Sequence, residues 1–188
     1  MTISGLFSIT LKDTKTGLPL SYRAFPSRSY VIAFLDILHA QFTGLSTSIT
    51  DTTGNARAVA AHANNLSTKA GATVSTWGLV VGTGTNAVLI TDTKLQTQIA
   101  HGVGAGQLYY QLVESIAPST SGATRRFIFT RSFVNQSGGT ITVRECGIYS
   151  SATATPYYFC TVRDLVPGGQ DILNGQTLAL QYTIGVTA

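Results

Sequence analysis

Apolar and polar residues alternate along most of the second half of the chain, and this two-residue period predicts β-strands. An opening strand is predicted from the apolar positions between Ile3 and Leu11, and it ends at the turn-forming residues 13–19, DTKTGLP. Further strands are predicted over residues 108–116, 126–135, 140–149, 157–163 and 176–186. Because no helical pattern separates these later strands, the sequence predicts a mainly β fold, an antiparallel β-sandwich of jelly-roll-like type.

A helical period is found near the N-terminus. Tyr30, Phe34, Leu38 and Phe42 recur at four-residue spacing between Ser29, a suitable N-cap, and Gly44, which favours a helix end. The pattern therefore predicts an N-terminal amphipathic helix over residues 30–42.

Residues 45–76 show no clear period and are rich in Ser, Thr, Asn and Ala. Asp51 to Gly54 is typical of a turn, and residues 56–64 fit either a short helix or a strand. We therefore expect an exposed, mobile connection or arm here. The predicted organisation is an N-terminal strand, helix and arm over residues 1–76, followed by a β-sandwich domain over residues 77–188.

The segment WGLVVGTGTNAVLITDTKLQTQIAH, residues 77–101, combines short apolar runs with glycines. Leu79 to Val81 predict a buried strand, Gly82 and Gly84 predict a turn, and a second strand is expected from Ala87 to Ile90. The Asp92 carboxylate is expected to accept hydrogen bonds from a turn backbone or to cap residues 94–98. A nucleotide-binding loop is excluded, because Ala87 replaces the third glycine and no Lys-Ser/Thr pair follows.

The spacing of residues 127–149 also predicts a hairpin register. If Ser137, Gly138 and Gly139 form a three-residue loop, Phe133 faces Val143 and Arg131 faces Glu145. Opposite charges across a ladder favour this register over a one-residue slip. The sequence therefore predicts a cross-strand ion pair between Arg131 and Glu145.

Composition narrows the classes of function. Charged residues are 11% and hydrophobic residues 44% of the chain, which is too apolar for a disordered protein. The scarcity of charge indicates either a large β core under a neutral Thr-rich surface or extensive subunit interfaces. The net charge of +4 comes from scattered basic residues, so we expect no specific nucleic-acid partner.

Neither a membrane partner nor export through a secretory signal is expected. The longest apolar run, residues 30–38, is far shorter than the roughly 20 residues of a bilayer span. The N-terminus alternates rather than presenting a basic end and an apolar block, so we expect synthesis and folding in a cytoplasm.

Residues with catalytic or metal-binding chemistry are few and scattered. His39, His62 and His101 have no second ligand at metal-binding spacing, and the carboxylates show no pairing that specifies a hydrolase. We therefore expect no catalytic site, no metal and no cofactor, and we assign no enzyme activity.

Three motifs resemble structural proteins of tailed bacteriophages. They are GTGT followed by TDTKL and TQIAHG, then FTRSFVNQSGGTITVRECGIY, and finally LNGQTLALQYTIGV. They are similar to that family's GTGTT…TDxxL loop, ITVxEIGLY strand and NGQTLTVxYTI closing strand, over residues 78–186. The resemblance implies a virion component made in the host bacterial cytoplasm. Its expected partners are further copies of itself and other virion proteins, such as major capsid or tail proteins. It would assemble on the head as a decoration or fibre-base protein, or on the tail or baseplate.

The chain departs from the family pattern at Cys146, where an aliphatic residue is usual. A hairpin centred near Thr153 would place Tyr149 opposite Tyr157 and Cys146 opposite Cys160. Cytoplasmic synthesis disfavours a disulfide, whereas a particle outside the cell permits oxidation. A Cys146–Cys160 bridge and a pair of buried free thiols are both compatible with the sequence.

A second hypothesis is a receptor- or carbohydrate-binding β-sandwich module. Its candidate ligand-stacking residues are Trp77, Tyr109, Tyr110, Tyr157 and Tyr158. Adjacent tyrosines on a strand face opposite ways, so only one of each pair can belong to a binding site.

Overall fold

Two antiparallel sheets form the body of the protein in the computed structural model, which describes residues 2–152 and 157–187. The strands are β1 (Thr2–Asp13), β2 (Pro19–Ser27), β3 (Thr47–Thr50), β4 (Ala56–Val59), β5 (Gly78–Gly82), β6 (Tyr109–Ser121), β7 (Thr124–Val134), β8 (Ile141–Ala152), β9 (Tyr157–Ile172) and β10 (Gln176–Thr187), with helix α1 (Ile32–Thr43) between β2 and β3. This architecture confirms the predicted mainly β, sandwich-like fold with an N-terminal helix.

The larger sheet has five strands in the order β2-β1-β10-β7-β6. Strand β1 pairs with β10 in an unbroken antiparallel register from Thr2 opposite Thr187 to Asp13 opposite Gln176. The N-terminal strand is therefore a central strand of the sandwich, and a boundary at residue 76 does not separate it from the later strands.

The smaller sheet has the order β5-β8-β9, and its inner face packs against the larger sheet. Phe7 and Tyr182 of the larger sheet contact each other with ring centroids 5.8 Å apart, and the Tyr182 hydroxyl reaches Cys146 Sγ of the smaller sheet at 3.3 Å. All five residues of β5 are buried, as the apolar run at Leu79 to Val81 predicts.

Strands β7 and β8 do not form the predicted hairpin, because they belong to different sheets. Arg131 of β7 lies opposite Val113 and Leu180, whereas Glu145 of β8 lies opposite Gly82 and Leu165. The predicted Arg131–Glu145 pair is therefore wrong. Matching cross-strand residues give a consistent register, but they do not reveal that the chain crosses from one sheet to the other.

The crossing between the sheets is held by Asn135, which is fully buried. Its side-chain amide donates to the carbonyls of Gly139 and Ile172, and its side-chain oxygen accepts from the Ser137 backbone. These hydrogen bonds pair backbone groups of the tight turn that would otherwise have no partner.

Residues 83–108 cross the outer face of the smaller sheet without forming a regular strand. The strand predicted from Ala87 to Ile90 is absent, and Leu89 and Ile90 are exposed. The predicted role of Asp92 is confirmed, because its carboxylate accepts from the Leu89 N–H at 2.8 Å.

Helix α1 buries Ala33, Ile37 and Ala40 and ends at Gly44 in the left-handed conformation, as predicted. Its N-cap is Val31 rather than Ser29, and Phe42 is 84% exposed. The four-residue period therefore predicted the helix correctly, but it did not identify which of its residues are buried.

The predicted exposed arm over residues 45–76 is instead packed against the body. Strands β3 and β4 form a hairpin whose Ile49 and Val59 share a core cluster with Ile37 and Phe159, and Thr68 and Ala70 are also buried. Sparse but well-placed apolar residues are sufficient to cover this end of the sandwich.

Candidate functional site

Three irregular segments meet beside the smaller sheet and enclose a cleft of about 550 Å³. We call this the loop cleft. Its walls come from the turn after β3, the segment before β5 and the loop after β5. The lining residues are Thr52, Thr53, Ser75, Thr76, Lys94, Leu95, Gln96, Gln98, Ala100, Tyr149 and Tyr158.

The loop after β5 is anchored by the buried carboxylate of Glu145. This carboxylate accepts from the backbone N–H groups of Gly84 at 3.1 Å, Gln96 at 3.0 Å and Thr97 at 2.7 Å. The Tyr149 hydroxyl accepts from the backbone N–H of Leu95, the residue before Gln96, at 2.6 Å. One strand thus supplies the acceptors that hold both ends of residues 84–97.

Arg163 of β9 completes this anchor. Its Nε donates to Glu145 at 2.9 Å and its Nη1 donates to Asp92 at 2.8 Å, while its guanidinium also reaches the carbonyls of Asn86 and Ala87. Burial acts to lower the pKa of Arg163, but the bonds to Asp92 and Glu145 outweigh it and raise that pKa. The two buried charges therefore neutralise each other while holding the loop.

Glycine is required where the loop passes Glu145. A Cβ on Gly84 would lie 2.5 Å from the Gln96 Cβ and 2.5 Å from a Glu145 carboxylate oxygen, and a Cβ on Gly82 would be equally crowded. These two glycines of the GTGT motif let the backbone approach the carboxylate, which is a structural role.

The segment before β5 is anchored by Arg131, whose side chain is buried. Its guanidinium donates to the carbonyls of Gln111 at 2.7 Å, Leu79 at 2.9 Å, Gly71 at 3.0 Å and Trp77 at 3.2 Å, and also to Val74. Burial lowers the pKa of Arg131 to about 10, so the group stays charged at neutral pH.

Backbone strain is stored in this same segment. Thr73 has a φ of 68°, a conformation that a β-branched residue rarely adopts. Its neighbours Gly71 and Val74 both direct their carbonyls at Arg131, and its own N–H donates to the Tyr110 carbonyl at 2.9 Å. The strain is therefore held in place by bonds on either side, and it positions Ser75 and Thr76 on the cleft wall.

The remaining wall, the turn after β3, is built on Asp51. Its carboxylate accepts from the Thr53 hydroxyl at 2.6 Å, the Asn55 N–H at 3.0 Å and Arg57 Nε at 2.6 Å. Burial acts to raise the pKa of Asp51, but these hydrogen bonds outweigh it and hold that pKa below its ordinary value. The Thr52 N–H then donates to the Tyr158 carbonyl at 2.9 Å, which joins the turn to β9.

Tyr157 and Tyr158, the predicted stacking residues, lie in different surroundings. Tyr158 lines the loop cleft and stacks on Trp77 with ring planes 7° apart and centroids 5.9 Å apart. Tyr157 packs under Arg57, whose guanidinium carbon lies 4.1 Å from the ring centroid. Tyr110 is buried in the core. The Tyr109 ring contacts the His101 ring in an edge-to-face arrangement.

The two cysteines are not opposite each other. Cys146 lies opposite Asp164 and Cys160 lies opposite Tyr149, so the predicted register is wrong; its centre, Thr153, lies outside the described residues. Both are buried free thiols, and burial raises the pKa of each. The β8–β9 ladder pairs Tyr157 with Ala152 rather than with Tyr149, and one register shift, between Ile148 and Tyr149, lies between the two cysteines. Sequence spacing reveals neither feature.

A further buried acid, Asp164, lies between the sheets. It accepts from the Ser27 hydroxyl at 2.7 Å and the Tyr182 hydroxyl at 3.1 Å. Burial raises the pKa of Asp164 above its ordinary value, and these hydrogen bonds offset part of that effect.

The structure supplies residues that the sequence argument missed. Arg163 and Asp51 anchor two cleft walls, and Gln96 accepts from the Thr85 and Asn86 N–H groups at 2.8 Å. A signal was present for Arg163, since a charge in an otherwise apolar strand indicates a buried partner. Its partners lie 18 and 71 residues away along the chain, which no local pattern reveals.

Among residues 2–152 and 157–187, no group of three or more His, Cys, Asp or Glu side chains is arranged to hold a metal ion. No helix in this part of the chain has the length and apolar character to cross a membrane.

Comparisons of the chain with protein-family models, with characterised proteins and with solved structures find no match.

Proposed function

We propose that the chain is a non-enzymatic structural protein of a tailed-phage particle, which assembles with copies of itself on the particle surface. The position would be the head, as a decoration or fibre-base protein, or the tail and baseplate. Partners would be further copies and the major capsid or tail proteins.

The observation that carries this proposal is the outer face of the five-stranded sheet. Paired positions form cross-strand rows on this face: Pro26, Leu6, Thr183, Ile128 and Ile116; Ala24, Ser8, Gln181, Thr130 and Glu114; and Tyr22, Thr10, Ala179 and Ser132. Glu114 is the single charged residue in these rows. Leu6, Tyr22 and Ile116 are exposed at 39%, 65% and 59%.

This face is large enough for a subunit interface. Five strands about 4.8 Å apart and roughly 40 Å long give a face of about 950 Å². This full length includes the two flanking rows, which add the charged residues Lys12 and Arg126. A stable interface of standard size needs about 800 Å² from each partner. Low charge also suits burial, because few ions have to be desolvated.

The motifs that carry the phage resemblance support the same proposal. Gly84 of the first motif and Glu145 of the second bind each other, and the third motif supplies β10 near the centre of the larger sheet. Their contacts build the fold, as expected of a protein whose task is to form a rigid assembly unit.

The test is the mass of the full chain by light scattering across a concentration series, with and without reductant. We expect a discrete oligomer such as a trimer, pentamer or hexamer. Its mass should not change with reductant, because Cys146 and Cys160 are buried free thiols. A monomer at every concentration contradicts the proposed self-assembly.

A further inference from the structure

We propose that the loop cleft is a binding site for a neutral oligosaccharide. This function goes beyond the assembly role and does not rest on it. The cleft has the three features that such a ligand requires: an aromatic surface for the apolar face of a sugar ring, uncommitted hydrogen-bonding groups for its hydroxyls, and walls held rigid before binding.

The aromatic surface is the ring of Tyr158. The ring is half-buried, lines the cleft and is supported by the nearly parallel ring of Trp77, 5.9 Å away. Trp77 in turn packs against the main hydrophobic core. A platform fixed in this way loses little conformational freedom when a ligand packs on it.

The hydrogen-bonding groups surround this platform. The Thr76 hydroxyl, the Lys94 ammonium and the Gln96 side-chain nitrogen line the cleft, and none has a hydrogen-bond partner among residues 2–152 and 157–187. The Gln96 side-chain oxygen is already bound by Thr85 and Asn86, so the remaining amide nitrogen is oriented. These groups offer two donors and one hydroxyl that both donates and accepts, which suits the hydroxyl oxygens of a polyhydroxylated ligand.

Charge distinguishes the ligand class. Lys94 is the single charged side chain lining the cleft within the described part of the chain, and the anchoring charges of Arg131, Glu145 and Arg163 are committed to the loops themselves. A phosphorylated ligand normally meets several cations or a cluster of free N–H groups. The volume of about 550 Å³ lies within the roughly 300–1,000 Å³ range of ligand pockets.

Rigid anchoring separates this cleft from an ordinary surface depression. Each wall is held by a buried charge: Asp51 for the first, Arg131 for the second and the Glu145–Arg163 pair for the third. The Gln98 side-chain amide also ties the third wall to the second by donating to the Ser75 carbonyl. The strained residue Thr73 lies two residues before Ser75 of the second wall, and such strain is concentrated at functional sites.

The experiment uses the full chain on an array of immobilised neutral and acidic oligosaccharides, followed by titration with the neutral oligosaccharide that gives the strongest signal. Trp77 is the single tryptophan of the chain, so its fluorescence reports directly on the Tyr158 platform. We expect retention on neutral oligosaccharides and a saturable change in tryptophan emission.

Variants locate the binding. Tyr158→Ala should weaken the affinity by about tenfold or more, because it removes the stacking surface. Thr76→Val removes an exposed hydroxyl with little change of shape and should weaken it by severalfold. Phe42→Ala, which truncates an 84% exposed phenylalanine near the end of α1, should leave binding unchanged.

Three outcomes would overturn the inference: no oligosaccharide bound above background, binding that survives both cleft variants, or a preference for acidic oligosaccharides. Light scattering on the same samples separates this result from the assembly proposal. Tyr158→Ala should not change the oligomer mass, because Tyr158 does not lie on the outer sheet face.

Discussion

At the scale of single residues, a few buried charges organise this protein. Arg131, Glu145 and Arg163 are each at most 2% exposed, although charged residues are only 11% of the chain. Burying an ion is costly unless it is paired or fully hydrogen-bonded. Each of these three side chains meets that condition by hydrogen-bonding to the backbone of a loop. The cost of burying the charge is therefore offset, and the loop is held in place although it is not part of a regular sheet.

The first prediction concerns Glu145→Gln. The substitution leaves the Arg163 cation buried with a weaker set of acceptors and removes charge-assisted bonds to three backbone donors. We expect the free energy of unfolding to fall by about 3–5 kcal/mol, as when one partner of a buried pair is removed. Urea denaturation measures this change.

A matched control is Glu114→Gln, which makes the same chemical change at an exposed position of β6. It should change the stability by no more than about 0.5 kcal/mol. Equal effects at the two positions would contradict the anchoring role of Glu145.

The second prediction concerns the pH dependence associated with Asp164. Burial raises its pKa in the folded protein above the ordinary 3.8, so the folded state retains the proton at a pH where the unfolded chain has lost it. The stability from this group is complete below pH 3.8 and is lost as the pH rises through the folded-state pKa.

The measurement compares the wild type with Asp164→Asn by urea denaturation between about pH 4 and pH 8. The free energy of unfolding of the wild type minus that of the variant should decrease as the pH rises. A difference that is constant or increases over this range would show that Asp164 does not titrate as proposed.

At the scale of elements, the loop after β5 behaves as a structural layer. It covers the outer face of the smaller sheet, and its Leu95 and Ile99 are buried in the main core. Glu145 and Tyr149 accept from its backbone donors, and its end pairs with β5, where the Ile99 N–H donates to the Val81 carbonyl at 2.9 Å. The glycines of GTGT make this close contact sterically allowed.

The third prediction is that Gly84→Ala displaces this loop. The added methyl would lie 2.5 Å from both Gln96 and Glu145, so the loop or the carboxylate must move. We expect a loss of about 1–3 kcal/mol, typical of overpacking a buried site. The backbone N–H groups of Gln96 and Thr97 donate to Glu145, so faster amide hydrogen exchange at these two residues would locate the disturbance.

Gly139→Ala serves as its control, because no atom lies within 4 Å of a Cβ built at Gly139. Its stability and exchange rates should stay close to those of the wild type. If Gly84→Ala behaves in the same way, the close approach to Glu145 does not constrain the loop.

At the scale of the whole molecule, the sandwich has two unlike outer faces. The smaller sheet is covered by a loop that leads to the cleft, whereas the larger sheet presents a face with few charged residues. The proposed assembly surface and the proposed ligand site therefore lie on different faces, so we expect that each can be altered without the other.

The fourth prediction is that Thr183→Lys weakens self-association. Thr183 lies in the row between Leu6 and Ile128, where a lysine would place a charge inside the proposed interface. We expect the concentration at half-association to rise by about tenfold or more, with little change in unfolding, because Thr183 does not point into the core. Light scattering and urea denaturation measure the two effects.

Gln136→Lys adds the same charge in the exposed turn after β7, outside the outer face. It should leave the association unchanged. Equal weakening by both variants would indicate a general effect of net charge, and the interface would then lie elsewhere.

Local patterns were sufficient for part of this structure. Two-residue alternation predicted β1 and the strands from β6 onward but not β2, β3 or β4. Four-residue spacing predicted the helix and Gly44 predicted its end, because these features depend on neighbours within a few residues. The Thr-rich alternation of β10 and the glycines of GTGT were visible in the sequence, although their partners were not.

Tertiary structure alone decided which strands pair and which charges meet. The Arg131–Glu145 and Cys146–Cys160 pairings were locally consistent but wrong, because the chain crosses between sheets after β7 and the β8–β9 ladder pairs Tyr157 with Ala152 rather than with Tyr149. Glu145 meets Arg163 and Gly84 through contacts 18 and 61 residues apart. The loop cleft arises in the same way, because its walls come from segments that are distant in sequence and are brought together only when both sheets pack.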